Sequence, residues 1–310
     1  MVTKIAITGA AGLVGQNLIP ALKQTGQYSV VALDRHEPNM DILRSLHPEV
    51  QCIVADLAEP GGWQDEIADC ELAVQLHAQI GGLSASEFER NNIEATNLVL
   101  QALEQGACEY LVHISSSVVN SAAVDNYTET KKAQEALVER CTLPHITLRP
   151  TLMFGWFDRK HVGWLQRFMQ RAPVFPIPGS GKYLRQPLYA GDFSAIIHAA
   201  LENRMVGAYN ISGQERIDYI DLIREVRGAS NLKTPIVKIP YSLFWALLST
   251  YALFDRDPPF TTKQLEALVT PDIFEVIDWP SIFDIQQTDL SDALHQTFNH
   301  PTYSEVVLDF

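Results

Sequence analysis

Tyr127 and Lys131 stand four residues apart in the run Tyr127-Thr128-Glu129-Thr130-Lys131, a spacing that puts both side chains on one face of a helix. An ammonium beside a phenol favours the phenolate, so the pair predicts a tyrosine titrating below its ordinary value of about 10. Such a phenol can exchange a proton with a substrate hydroxyl while hydride leaves or joins the same carbon. Upstream, Ser115-Ser116-Ser117 closes an apolar run. Ser115 and Ser116 are expected to satisfy backbone groups or touch a cofactor.

The hydride needs a carrier, and the N-terminus offers a place for one. Thr8-Gly9-Ala10-Ala11-Gly12-Leu13-Val14-Gly15 directly follows a β-branched run and opens a helix-like stretch, Leu13–Thr25. Gly9 permits the tight turn, Gly12 lets the backbone approach a pyrophosphate, and Gly15 lets helix and strand pack closely. The N–H groups at the helix start, those of Leu13 and Val14 among them, then face the phosphates. Asp34 ends the second strand nineteen residues after Gly15, where a carboxylate accepts from both ribose hydroxyls. These residues predict NAD as cofactor; Arg35, whose guanidinium attracts a 2′-phosphate, keeps NADP open. Asp56-Leu57 ends the third strand, and Asp56 is either an acceptor for the adenine amino group or a helix-capping residue.

The elements that must position these groups follow from the hydrophobic pattern. Lys4–Thr8, Ser29–Asp34, Gln51–Asp56, Leu72–His77, Tyr110–Ser115 and His145–Pro150 read as short buried strands. Helical stretches alternate with them, including residues 86–105 and 127–140. Alternation of this kind implies βαβ units and a parallel, doubly wound α/β sheet of Rossmann type. Gly207–Ser212 reads as one more strand, and residues 151–185 are rich in Pro, Gly and aromatics. The expected organisation is a cofactor domain of residues 1–150 plus 187–212, interleaved with a smaller substrate domain of residues 151–186 plus 213–310. Ligand is expected between them, at the carboxyl ends of the strands.

On these residues the chain resembles the extended short-chain dehydrogenase/reductase superfamily, in its nucleotide-sugar epimerase/dehydratase branch. TGAAGLVG is similar to the family's TGxxGxxG, NIEATN (Asn92–Asn97) to NVxGTxN, and LRPTLMFG to the RPxxxYG segment. GSGKYLRQPLYAGD resembles GxGxxxRxxxxVxD, and YNISG the closing YNxGG. The resemblance implies that Asn92 lies near the cofactor, that Ser117 binds the reacting oxygen, and that Lys131 binds the nicotinamide ribose. It also implies that Arg185 meets the substrate diphosphate, a salt bridge between domains being the alternative. Two copies are expected to pair through the tyrosine helix.

Three departures narrow the reading. The family's HLAA appears here as Gln75-Leu76-His77-Ala78, and VYG as Val119-Asn120-Ser121. The loop from Ser117 to Tyr127 spans only ten positions, which predicts an open substrate mouth. Family dehydratases and decarboxylases carry a carboxylate just after the serine or threonine; Val118 and Val119 stand there instead, which leaves epimerisation or simple oxidation and reduction. Arg149 is expected to be structural, and His77, His113 and His145 to be satisfied strand or core histidines, since no metal spacing links them.

Composition sets outer limits. The chain of 310 residues has a formal charge of −14, a surface that repels nucleic-acid backbones and anionic lipid. Cys52, Cys70, Cys108 and Cys141 are scattered, as expected of buried thiols in a reducing compartment. Because the first strand begins almost at Met1, the expectation is a cytoplasmic protein. The apolar run from Ile239 to Phe254 is short of the ~20 residues of a spanning helix, and predicts a buried or half-buried one. The reaction expected is NAD-dependent nucleotide-sugar 4-epimerisation. A dehydrogenase/reductase of a bulkier, less polar alcohol or ketone, and a non-catalytic cofactor-binding subunit, are the alternatives.

Overall fold

The computed structural model describes residues 2–122, 124–251, 262–270 and 274–309. Seven strands form one parallel sheet: β1 (Thr3–Thr8), β2 (Tyr28–Asp34), β3 (Gln51–Val54), β4 (Leu72–Gln75), β5 (Tyr110–Ile114), β6 (His145–Pro150) and β7 (Gly207–Ile211). Their spatial order is β3-β2-β1-β4-β5-β6-β7. The chain therefore reverses direction across the sheet between β1 and β4, the switch point at which open α/β sheets bind ligands.

These strands are apolar on both faces, as a sheet covered twice must be. Ile5, Ile7, Val30, Ala32, Val74, Val112, Ile146 and Leu148 point to one face, beneath helices α1 (Leu13–Thr25) and α4 (Ala190–Asn203). Ala6, Val31, Leu33, Ala73 and Leu111 point to the other, beneath α2 (Ala95–Gln105). Register then sets the site. Thr8 pairs with Leu33 and Gln75, Gln75 with His113, and Ile114 with Leu148, so the carboxyl ends of β1, β2, β4 and β5 lie side by side.

A third apolar core joins residues from two separate stretches, Phe154, Val162, Phe175, Ile177 and Tyr189 with Tyr219, Ile220, Ile223, Leu290 and Leu294. The expected apolar segment forms a helix, α5 (Tyr241–Tyr251). Of the expected alternatives, buried or half-buried, the helix takes the second: Leu243, Trp245 and Leu247 are 51%, 44% and 55% exposed, while Phe244, Leu248 and Ser249 are half-buried. Phe254, the end of that run, lies outside the described residues. Among the described residues, no helix is long and apolar enough to cross a membrane.

Candidate active site

The glycine loop shows three different reasons for its glycines. Gly9 has a φ of +70°, and a Cβ there would lie 2.7 Å from the His77 backbone nitrogen, where the loops after β1 and β4 touch. At Gly15 a Cβ would lie 2.4 Å from the Ala10 carbonyl oxygen. Gly12 is different. Its φ is −79°, and a Cβ would meet only the Gly9 carbonyl at 3.4 Å, ordinary contact, so no neighbour in the chain requires a glycine there. Gly12 is also the N-cap of α1 and has no side chain to bond the first-turn N–H groups, Leu13 and Val14 among them. The result is a bare helix N-terminus with room in front of it, which fits a pyrophosphate.

Asp34 projects from the end of β2 over this loop. Its carboxylate accepts the Ala11 N–H at 3.1 Å and the His36 N–H at 3.0 Å, while burial raises its pKa against the pull of those bonds. Two backbone donors leave lone pairs for ribose hydroxyls. Arg35 donates to Gln79 Oε1 at 2.9 Å. Asp56 accepts from Ala58 N–H at 3.0 Å and ion-pairs with Arg90 at 2.8 Å. Burial opposes ionisation of this carboxyl, but those partners prevail and lower its pKa. Leu57 is buried in the core under α2. On Ser115, at the end of β5, the hydroxyl is buried with no hydrogen-bond partner among the described residues, an orphan donor at the rim of the crevice.

The helix bearing the tyrosine, α3 (Asn126–Glu139), begins where Asp125 caps it, accepting the Thr128 N–H at 2.9 Å. Asn92 sits in a six-residue π-helical segment, Glu89–Glu94, that leads into α2. Fully buried, it accepts the Gln79 N–H at 2.6 Å and donates to Thr130 Oγ1 at 2.9 Å. It thereby ties the loop after β4 to α3, between Tyr127 and Lys131. Arg149 is held by Glu135 of α3 through two bonds of 2.9 and 2.7 Å, a structural pairing that fixes α3 to β6.

The electrostatics differ from the expected phenolate. Tyr127 is half-buried, and its pKa is raised: burial outweighs the hydrogen bond from Ser116, and Asp125 adds to the rise. Lys131 does not enter that balance, because its ammonium points to the Ile114 carbonyl at 3.0 Å and to Gln134 Oε1 at 2.5 Å. Burial pushes the Lys131 pKa down to about 7, against the pull of Glu135. His77 is pushed down to about 3, by burial and then by Lys131. His113 is fully buried in β5 with neither ring nitrogen bonded among the described residues, and burial holds it neutral.

Ser116, expected from the sequence to make backbone or cofactor contacts, is the serine that opposes the rise in the Tyr127 pKa. Ser117 instead opens a short 3-10 turn, Ser117–Asn120, which Ser116 caps. Arg185 stands apart from this cluster. It pairs at Ile217 in a two-residue antiparallel ladder and donates to the carbonyls of Leu268 and of Thr270, the latter at 3.0 Å, at the end of helix α6 (Thr262–Val269).

Residues 5–212 match the model of the NAD dependent epimerase/dehydratase family. The chain belongs to that family. Its sequence is 24% identical to ceramide reductase of Caulobacter vibrioides over 238 residues, covering 76% of this chain and 73% of the relative. It is 21% identical to UDP-glucose 4-epimerase of Vibrio cholerae over 287 residues, covering 83% and 85%. The fold is that of UDP-glucuronic acid 4-epimerase from Bacillus cereus in complex with NAD, with a TM-score of 0.73 at 23% identity, covering 96% and 98% of the two chains.

Proposed function

We propose that the chain is an NAD-dependent nucleotide-sugar 4-epimerase. What carries this reading is the placement of Tyr127, Ser116 and Lys131 at the carboxyl end of β5, beside the bare helix start at Gly12 and the carboxylate of Asp34. Bound NAD would supply the acceptor for the sugar's hydride and the donor that returns it to the opposite face. The helix start at Gly12, with the N–H groups of Leu13 and Val14, would hold its pyrophosphate, Gly9 and Gly15 shaping the turn and the helix packing around it; Asp34 would hold its ribose, and Asn92 and Ser115 would border its nicotinamide end. Tyr127 takes the proton of the sugar hydroxyl and later gives it back. A raised pKa suits the second half of that task, since a protonated phenol is the acid. Ser116 takes the oxygen-holding role that the resemblance gave to Ser117, and Lys131, held by Ile114 and Gln134, would be the residue to donate to the nicotinamide ribose.

Val118 and Val119 put no carboxylate beside the reacting carbon, so nothing there moves the second proton of a dehydration or decarboxylation. The interleaved third core, with residues 151–186 and 213–310, forms the substrate side. A panel of UDP-sugars, assayed for epimers without net NADH, tests the reading.

A second reading, NAD-dependent reduction or oxidation of a bulkier, less polar alcohol or ketone, is favoured by one observation. Helix α5 turns Leu243, Trp245 and Leu247 to solvent, an apolar surface within residues 213–310. Similarity to a ceramide reductase supports it. Stoichiometric NADH turnover on such a substrate, with no UDP-sugar epimerised, would establish it in place of the first.

A further inference from the structure

Gln134 follows Lys131 by three residues on α3 and is fully buried. Both ends of its amide are used. Oε1 accepts from Lys131 Nζ at 2.5 Å, while Nε2 donates to Thr96 Oγ1 at 2.8 Å and to the His77 carbonyl at 3.3 Å. Thr96 in turn accepts from Gln75 Nε2 at 2.8 Å and lies 3.2 Å from His77 Nε2. His77 Nδ1 is 2.8 Å from Thr8 Oγ1. An unbroken polar chain thus runs from Thr8, the residue before the glycine loop, to the ammonium of Lys131.

The charged and titratable groups around Lys131 are few. Glu135 on its own helix is ion-paired with Arg149 of β6, Tyr127 lies one turn before it, and the imidazoles of His77 and His113 are held neutral by burial. Among the described residues, no carboxylate touches the ammonium, and its bonds are to the neutral oxygens of Ile114 and Gln134, the second of them a side chain. A neutral acceptor holds a buried ammonium in place without locking its proton on, as a carboxylate would.

We propose that Gln134 is the positioning residue of Lys131, fixing where the ammonium stands and how readily it gives up its proton. The inference rests on the reading of Lys131 as part of the catalytic machinery, but the coupling itself can be measured without turnover. Full-length protein labelled in its lysine side chains is titrated by NMR, with Lys131→Arg assigning the signal. Gln134→Glu, which keeps the shape and adds a charge, raises the Lys131 midpoint by about one pH unit or more. Gln134→Leu lowers it by a similar amount, because the buried ammonium loses one of its two acceptors.

The pH profile of kcat moves in the same directions while KM changes little. If Gln134→Leu does not fold, Gln134→Glu and Gln134→Asn carry the test. A Lys131 midpoint unmoved in folded, NADH-binding Gln134→Glu overturns the proposal. A midpoint that moves while the kcat profile stays put supports the Gln134–Lys131 coupling and overturns the catalytic reading of Lys131 instead.

Discussion

Ser116 Oγ accepts the Val118 N–H at 3.4 Å, and the hydroxyl that caps the turn after β5 is also the one that pulls the Tyr127 pKa down against burial. A donor held in this way does not have to be ordered when substrate arrives. Replacing Ser116 with Ala should lower kcat by about 10²-fold, the usual worth of one fixed donor to a reacting oxygen. Ser117→Ala should change it by less than about threefold, since Ser116 is the serine that lowers the phenol's pKa. Steady-state rates of the two variants decide the matter, and the opposite order would return the role to Ser117.

Gly12 and Gly15 separate cofactor binding from folding. Gly15→Ala forces a Cβ to 2.4 Å from the Ala10 carbonyl and should cost several degrees in Tm, with α1 displaced from β1. Gly12→Ala meets only an ordinary contact and should melt within about 2 °C of the parent, while NADH affinity falls at least tenfold. Thermal melts and fluorescence titrations measure both. A Gly12→Ala protein that binds NADH normally would remove the pyrophosphate from that helix start.

Asp34 should make the protein prefer NADH over NADPH by at least about tenfold, because a carboxylate repels the 2′-phosphate. Asp34→Ser should narrow the gap. Equal affinity in the parent would mean that Arg35, bonded to Gln79, swings round to control the ribose site.

Lys131 stores a pH dependence of stability. Its folded pKa is about 7, below the ordinary value of 10.5, so between those pH values the unfolded chain binds more protons than the folded one. Stability from this group therefore rises as pH goes from 7 towards 10.5. Lys131→Met lacks the titration, so the Tm of the parent should gain on that of the variant by a few degrees across pH 7–9.5. Parallel melting curves over that range would show that the buried ammonium keeps its proton.

Much of the frame was legible because it rests on local pattern. The helix after the glycine loop has the expected bounds, Leu13–Thr25, and the strand His145–Pro150 has the expected ends. Gly9 and Gly15 are fixed by close approach to His77 and Ala10, which the spacing of the motif encodes. What escaped depends on where side chains turn in three dimensions. Tyr127 and Lys131 share a helix face, but the lysine bends to Ile114 and Gln134, and burial then raises the phenol's pKa instead of lowering it. The choice between Ser116 and Ser117 depends on a single residue of register at the end of β5.

The most direct test of the central claim follows the hydride. A UDP-hexose deuterated at C4 is incubated with the purified protein and its NAD, and the products are separated and weighed by mass spectrometry. The account predicts a C4 epimer that keeps its deuterium, with no net reduced cofactor, and turnover falling by about 10²–10⁴-fold in Tyr127→Phe while NADH still binds. Deuterium lost from the sugar into released reduced cofactor, or an epimer formed at full rate by Tyr127→Phe, would contradict it.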